Sequence, residues 1–96
     1  MEENSVKKPR IAYNLEMARA LRQIKPPIKG ILLDIKPRPN YLALVIYESN
    51  IMQFDETRRG DIMEYLLMCR DVIKSFGVPC ELEGSKGAPP QKSMVD

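Results

Sequence analysis

Apolar positions in this chain switch between the helical and the extended period, and each switch marks an element. After Asn14, a candidate N-cap, Leu15, Ala18, Leu21 and Ile24 follow at helical spacing, with Met17 and Leu21 four apart. A short amphipathic helix is expected there, stopped by Pro26 and Pro27. In "IKGILLDIK" the period becomes two, setting Ile31, Leu33 and Ile35 on one face of a strand and Gly30, Leu32 and Asp34 on the other. "PRPN" reverses the chain, and "YLALVIYES" reads as a second strand, hairpinned to the first. "NIMQF" is expected to form a short third strand.

The helical period returns in "GDIMEYLLMCRDVIKSFG", where Ile62, Leu66, Cys69, Ile73 and Phe76 fall on one stripe. Asp61 and Glu64 have the spacing of a capping box, and Gly77 followed by Pro79 marks the end. "VPCELE" then reads as a last strand, with Val78, Cys80 and Leu82 facing one way. A helix between two strands favours a crossover that returns the last strand to the same sheet. The expected fold is α/β (α+β): a two-layer sandwich in the order helix-strand-strand-(strand)-helix-strand, with a small, mostly antiparallel sheet and two helices on one of its faces.

That architecture raises a question about the second strand. Residues Tyr41 to Tyr47 carry no charge, so Leu42, Leu44 and Ile46 face one way while Tyr41, Ala43, Val45 and Tyr47 face the other, both sets apolar. Helices on one face leave the other set without an obvious cover. A contiguous apolar face marks an interaction site; the competing reading places the two helices on opposite faces of the sheet and makes the segment a wholly buried central strand.

Length sharpens the point. At 96 residues the chain has room for one domain, and a domain of this size buries only about 60% of the surface its unfolded chain exposes. The composition, 44% hydrophobic and 29% charged, excludes a disordered chain as a whole. Boundaries are expected at 12 and 83: a basic leader over 1–12, a single domain over 13–83, and a Gly/Pro-rich flexible tail over 84–96. The N-terminus lacks the apolar region of a signal peptide, and no apolar run approaches the ~20 residues of a membrane span. A cytoplasmic or nuclear address is therefore expected.

Charge is lopsided. Residues 1–40 hold nine Lys/Arg against four Asp/Glu, and residues 41–96 hold six against nine. The basic N-terminal third, with Lys7, Lys8 and Arg10, suits a nucleic-acid-binding module as the alternative function, although no aromatic residues interleave with these charges to stack bases.

Catalytic chemistry is thinly represented. The chain has no histidine, the usual general base and commonest metal ligand. Cys69 and Cys80 lie inside a helical and a strand pattern and read as small buried residues. No phosphate loop occurs, and the serines have no base nearby in sequence. No enzyme, cofactor, metal site or small-molecule substrate is expected. Met52, Met63 and Met68 are read as core residues, with an adaptable recognition surface as the other option. Arg58 and Arg59 stand just before Asp61, where the helix dipole disfavours positive charge. They read either as a solvated pair beside Asp55 and Glu56 or as a contact for an acidic partner.

The stretch "PNYLALVIYES", residues 39–49, resembles part of the small nineteen-kilodalton centrosomal protein family of the ciliary base, in which a proline precedes an aliphatic strand ending in Tyr-Glu-Ser. The resemblance implies a non-enzymatic adaptor at centrioles that recruits a Rab-like GTPase. Together these readings give an expectation: an interaction or assembly subunit that dimerises or joins a larger complex through an apolar strand face or edge. The expected partner interface is Tyr41, Leu42, Leu44, Ile46, Tyr47, Arg58 and Arg59.

Overall fold

The computed structural model describes residues 12–94, so nearly all of the expected basic leader lies outside the described residues. The elements are α1 Leu15–Arg22, β1 Leu33–Pro37, β2 Leu42–Tyr47, α2 Glu48–Ile51, α3 Glu56–Lys74 and β3 Cys80–Ser85. The order is helix, strand, strand, helix, strand, as expected, with one extra helical turn.

Asn14 caps α1, its Oδ1 accepting the Met17 N–H at 2.9 Å. Met17, Ala18 and Leu21 are buried, but Leu15, placed on the stripe by its spacing, is exposed. The second strand pairs with both neighbours. β2 runs antiparallel to β1, joined by a turn in which the Arg38 N–H donates to the Tyr41 carbonyl at 2.8 Å, and parallel to β3. The sheet order β1-β2-β3 thus makes β2 central. Instead of a mostly antiparallel sheet there is one pair of each kind, because α3 is a crossover that returns the chain to the end where β2 began.

Two local expectations are corrected. "NIMQF" is not a strand: residues Glu48–Ile51 form a helical turn that brings the Asn50 side chain inward. There the Asn50 amide donates to the Gly30 carbonyl at 2.8 Å, and its Oδ1 accepts the Leu32 N–H at 2.8 Å. The two bonds satisfy a buried side chain and fix the entry to β1. The main helix also starts earlier than the Asp61–Glu64 spacing suggests. Asp55 is the N-cap, accepting the Arg58 N–H at 3.1 Å, and Asp61 lies inside the helix. Gly60 is carried within it, at a cost of about 1 kcal/mol relative to Ala.

The stripe Ile62, Leu66, Cys69 and Ile73 is buried, joined by Tyr65, whereas Phe76 falls beyond the last turn and is 41% exposed. Gly77 adopts φ +81°, the left-handed conformation that ends the helix. Leu33, Ile35, Leu42, Leu44 and Cys80 form one core with this stripe and with Met17 and Leu21 of α1. The helices therefore share one face of the sheet, giving two layers.

On the other face Ala43 and Val45 are 0% and 2% exposed, although no helix reaches them. The strand register supplies the reason. Val45 pairs with Asp34 on one side and Glu83 on the other. Tyr47, two residues beyond Val45, leans back so that its hydroxyl donates to Asp34 Oδ2 at 3.1 Å. Tyr41 stretches forward from the opposite end, donating to Glu83 Oε1 at 3.2 Å. Two aromatic rings anchored at the level of one valine thus roof the stripe.

The chain's last described residues are also placed. β3 continues through Gly84 and Ser85, beyond the boundary expected at 83. Ser93 is buried against Leu33: its Oγ accepts the Leu33 N–H at 3.1 Å, and the Met94 N–H donates to the Leu33 carbonyl at 2.8 Å. Ser85 and Ser93 flank opposite sides of β2, so residues 86–92 carry the chain from one edge of the sheet to the other. The boundary moves because a serine hydroxyl and one backbone amide answer the outward groups of β1.

Candidate protein interface

The expected interface does not assemble. Leu42 and Leu44 are 0% exposed inside the core, and Tyr47 is 5% exposed beneath its own hydrogen bond. Tyr41 and Ile46 are half-buried. The face that was to receive a partner is closed by the chain's own atoms, so the strand is central and buried, but by two tyrosines and not by a helix on each face as the competing reading had it. Arg58 and Arg59 lie in the first turns of α3, well apart from that face by element. The Arg59 guanidinium donates to the carbonyls of Phe54 at 3.0 Å and Met52 at 3.3 Å, closing the loop between α2 and α3. The Arg58 N–H is the one that Asp55 caps, and the Asp55 carboxyl is held below its usual range by the Thr57 hydroxyl first and by that N–H second.

Attention therefore moves from the faces of the sheet to its edges. Along β1 the outward backbone groups belong to Leu33, Ile35 and Pro37, since the Leu33 groups point to Ser93 and Met94 and alternate residues point alike. Each of these N–H positions is closed. The Leu33 N–H is bound by Ser93, the Ile35 N–H by the Asp34 carboxylate at 2.9 Å, and Pro37 has none.

β3 presents the opposite case. Leu42 donates to the Pro79 carbonyl at 2.9 Å, which aims the backbone groups of Pro79, Glu81, Glu83 and Ser85 at β2. Those of Cys80, Leu82 and Gly84 then point outward; Cys80 is buried, which leaves Leu82 and Gly84 as the accessible part of the edge. Among the described residues no hydrogen bond to them is found.

An apolar cleft adjoins this open edge. It has a volume of about 540 Å³ and is walled by Ile46, Leu82 and Gly84 of the sheet, Ile51 of α2, Met52 just after it and Met63 of α3, with Glu48, Ser85 and Lys86 also lining it. A Cβ built on Gly84 meets nothing within 4 Å, so the missing side chain leaves the cleft open toward the edge. Met52 and Met63 are 60% and 47% exposed, and Met68 is 54% exposed. The expectation that these methionines are core is overturned. Soft, unbranched side chains at a cleft wall adapt to a range of apolar shapes.

Charge differs across the strand. Glu81 and Glu83 project from β3 on the roofed face, Glu81 exposed. Glu83 is paired with the Arg38 guanidinium, whose hydrogen bond holds the carboxyl below its usual range, with Tyr41 contributing further. Glu81 makes no ion pair among the described residues.

The remaining groups offer little chemistry. Burial pushes the Cys69 and Cys80 thiols up to about 11, which leaves both protonated and poorly nucleophilic at neutral pH. No group of three or more potential metal ligands occurs among the described residues. No helix there is long and apolar enough to cross a membrane. No family model matches the chain, nor does any curated protein or solved structure.

Sequence reasoning missed Gly84, Leu82, Met52 and Met63 as a group. Gly84 carried a usable signal, because glycine inside a strand marks a place where another backbone approaches closely. It had instead been assigned to the tail.

Proposed function

We propose that this chain is a non-enzymatic interaction subunit that binds an extended protein segment along the open edge of β3. The observation that carries the reading is the pair of outward-facing residues Leu82 and Gly84, accessible, without backbone partners among the described residues and beside an apolar cleft. Strand addition uses such a row for main-chain hydrogen bonds and takes its selectivity from pockets for alternate side chains. An open edge is ordinarily blunted by proline, a bulge or a covering segment. Here β1 is blunted and β3 is not. The centrosomal setting implied by residues 39–49 belongs to this proposal as its cellular context and rests on those residues alone.

The test is residue-specific amide exchange with and without a seven-residue peptide of alternating isoleucine and threonine. Added-strand pairing protects the amides of Leu82 and Gly84, while those of Glu81 and Glu83, already turned toward β2, stay as they were. Protection that falls on any other element, or on none, removes the reading.

A further inference from the structure

The strand that fits β3 can be specified further by charge, an inference that rests on the edge reading. We infer that the occupant is an extended segment alternating apolar and basic residues, supplied by a partner protein and not by a second copy of this chain.

The outward backbone groups of β3 set how a newcomer's side chains face it. Leu82 and Gly84 would exchange hydrogen bonds with an antiparallel newcomer. The newcomer's residues opposite Glu81 and Glu83 therefore occupy non-hydrogen-bonded pairs, where Cα atoms approach to about 4.5 Å and side chains lie closest. Opposite charges in such pairs stabilise and like charges destabilise. Glu81 is exposed and has no ion pair among the described residues, so a lysine or arginine facing it gains the most. Glu83 shares its charge with Arg38 and gains less. Residues opposite Leu82 and Gly84 turn to the helix side, where the cleft takes apolar side chains.

The same rule judges self-association. β3 reads Cys-Glu-Leu-Glu-Gly, so a second copy meets the apolar requirement. In a symmetric antiparallel pair centred on Leu82, however, Glu81 of each copy faces Glu83 of the other. Both closest pairs are then of like charge, and the edge that accepts a basic strand repels its own duplicate.

Fluorescence anisotropy at low ionic strength, with three seven-residue peptides alternating isoleucine with lysine, threonine or glutamate, tests this. The lysine peptide is expected to bind roughly five- to tenfold more tightly than the threonine peptide, and the glutamate peptide more weakly than either. Glu81→Lys should reverse the order. Equal binding of the three, or an order unchanged by Glu81→Lys, overturns the charge inference and leaves the edge reading standing. Sedimentation equilibrium that finds a dimer broken by Gly84→Pro overturns it as well, by showing a second copy on the edge. The edge reading itself falls if no peptide binds, or if N-methylating the peptide amides aimed at β3 leaves affinity unchanged. That control acts on the peptide and is independent of how any variant folds.

Discussion

Along the outer edge of β1 every outward N–H is answered or absent, whereas along that of β3 the outward N–H groups of Leu82 and Gly84 have no partner among the described residues. The two edges belong to one sheet of three strands, and β2 lies between them. Closing β1 takes three unrelated devices: a serine hydroxyl from 60 residues away, a neighbouring carboxylate, and a proline. Such measures keep a sheet from pairing with stray strands. On β3 the outward N–H groups have no such cover, and under the function proposed above that side is where a strand adds. The cleft beside it and the unpaired Glu81 add shape and sign to that place.

The largest way to break the contrast is through the loop that leads into β1. Asn50 is buried and holds both the Gly30 carbonyl and the Leu32 N–H. Asn50→Ala removes two hydrogen bonds and strands their backbone partners, which should cost about 2–3 kcal/mol in urea unfolding. The amides of Leu33 and Ile35 should then exchange faster while those of Glu81 and Glu83 change little. A loss below ~0.5 kcal/mol, within the range of ordinary surface substitutions, would show that β1 is held by other means.

A smaller and sharper change is Ser93→Ala. It removes the Oγ that accepts the Leu33 N–H and leaves the Met94 bond to the Leu33 carbonyl available. The expected cost is about 1 kcal/mol, seen as a roughly fivefold faster exchange of the Leu33 amide. In the unaltered protein the Leu33 and Ile35 amides should already exchange more slowly than those of Leu82 and Gly84. Equal rates at the two edges would erase the comparison.

What the sequence disclosed divides along the same physical line. Elements defined by nearby residues were legible: the Asn14 cap, the Ile62-to-Ile73 stripe, the Gly77 stop, and the two-layer order of helices and strands. Competition between adjacent candidates misled, as Asp55 took the capping role that spacing gave to Asp61. Long-range register was out of reach. That Tyr41 and Tyr47 would roof Ala43 and Val45 depends on Asp34 and Glu83 both standing opposite Val45, and Glu83 is 42 residues from Tyr41. Without the register the tyrosines read as exposed apolar surface, although they close the face on which they lie. The tail erred for the same reason, since nothing local to Ser93 announces Leu33.

The smallest effect is expected from pH, and it also distinguishes the two sides of β2. On the β3 side, the Arg38 hydrogen bond lowers the Glu83 carboxyl below its ordinary range. A carboxyl lowered by folding contributes stability that is present above the unfolded value of about 4.3 and is lost as pH falls through the folded one. On the β1 side, burial first and the Asp34 hydrogen bond second raise the Tyr47 phenol. A phenol raised by folding contributes below its unfolded value of about 10 and loses that contribution as pH climbs through the folded one. Acid should therefore loosen the Tyr41 end of the roof, and alkali the Tyr47 end. Tyrosine ring signals followed by NMR between pH 3 and pH 11, a window set by these two ordinary values, would separate them. Glu83→Gln should remove the acid limb alone and Asp34→Asn should shift the alkaline limb downward. If both limbs moved with either substitution, the roof would act as one unit, and Val45 would couple the two edges instead of separating them.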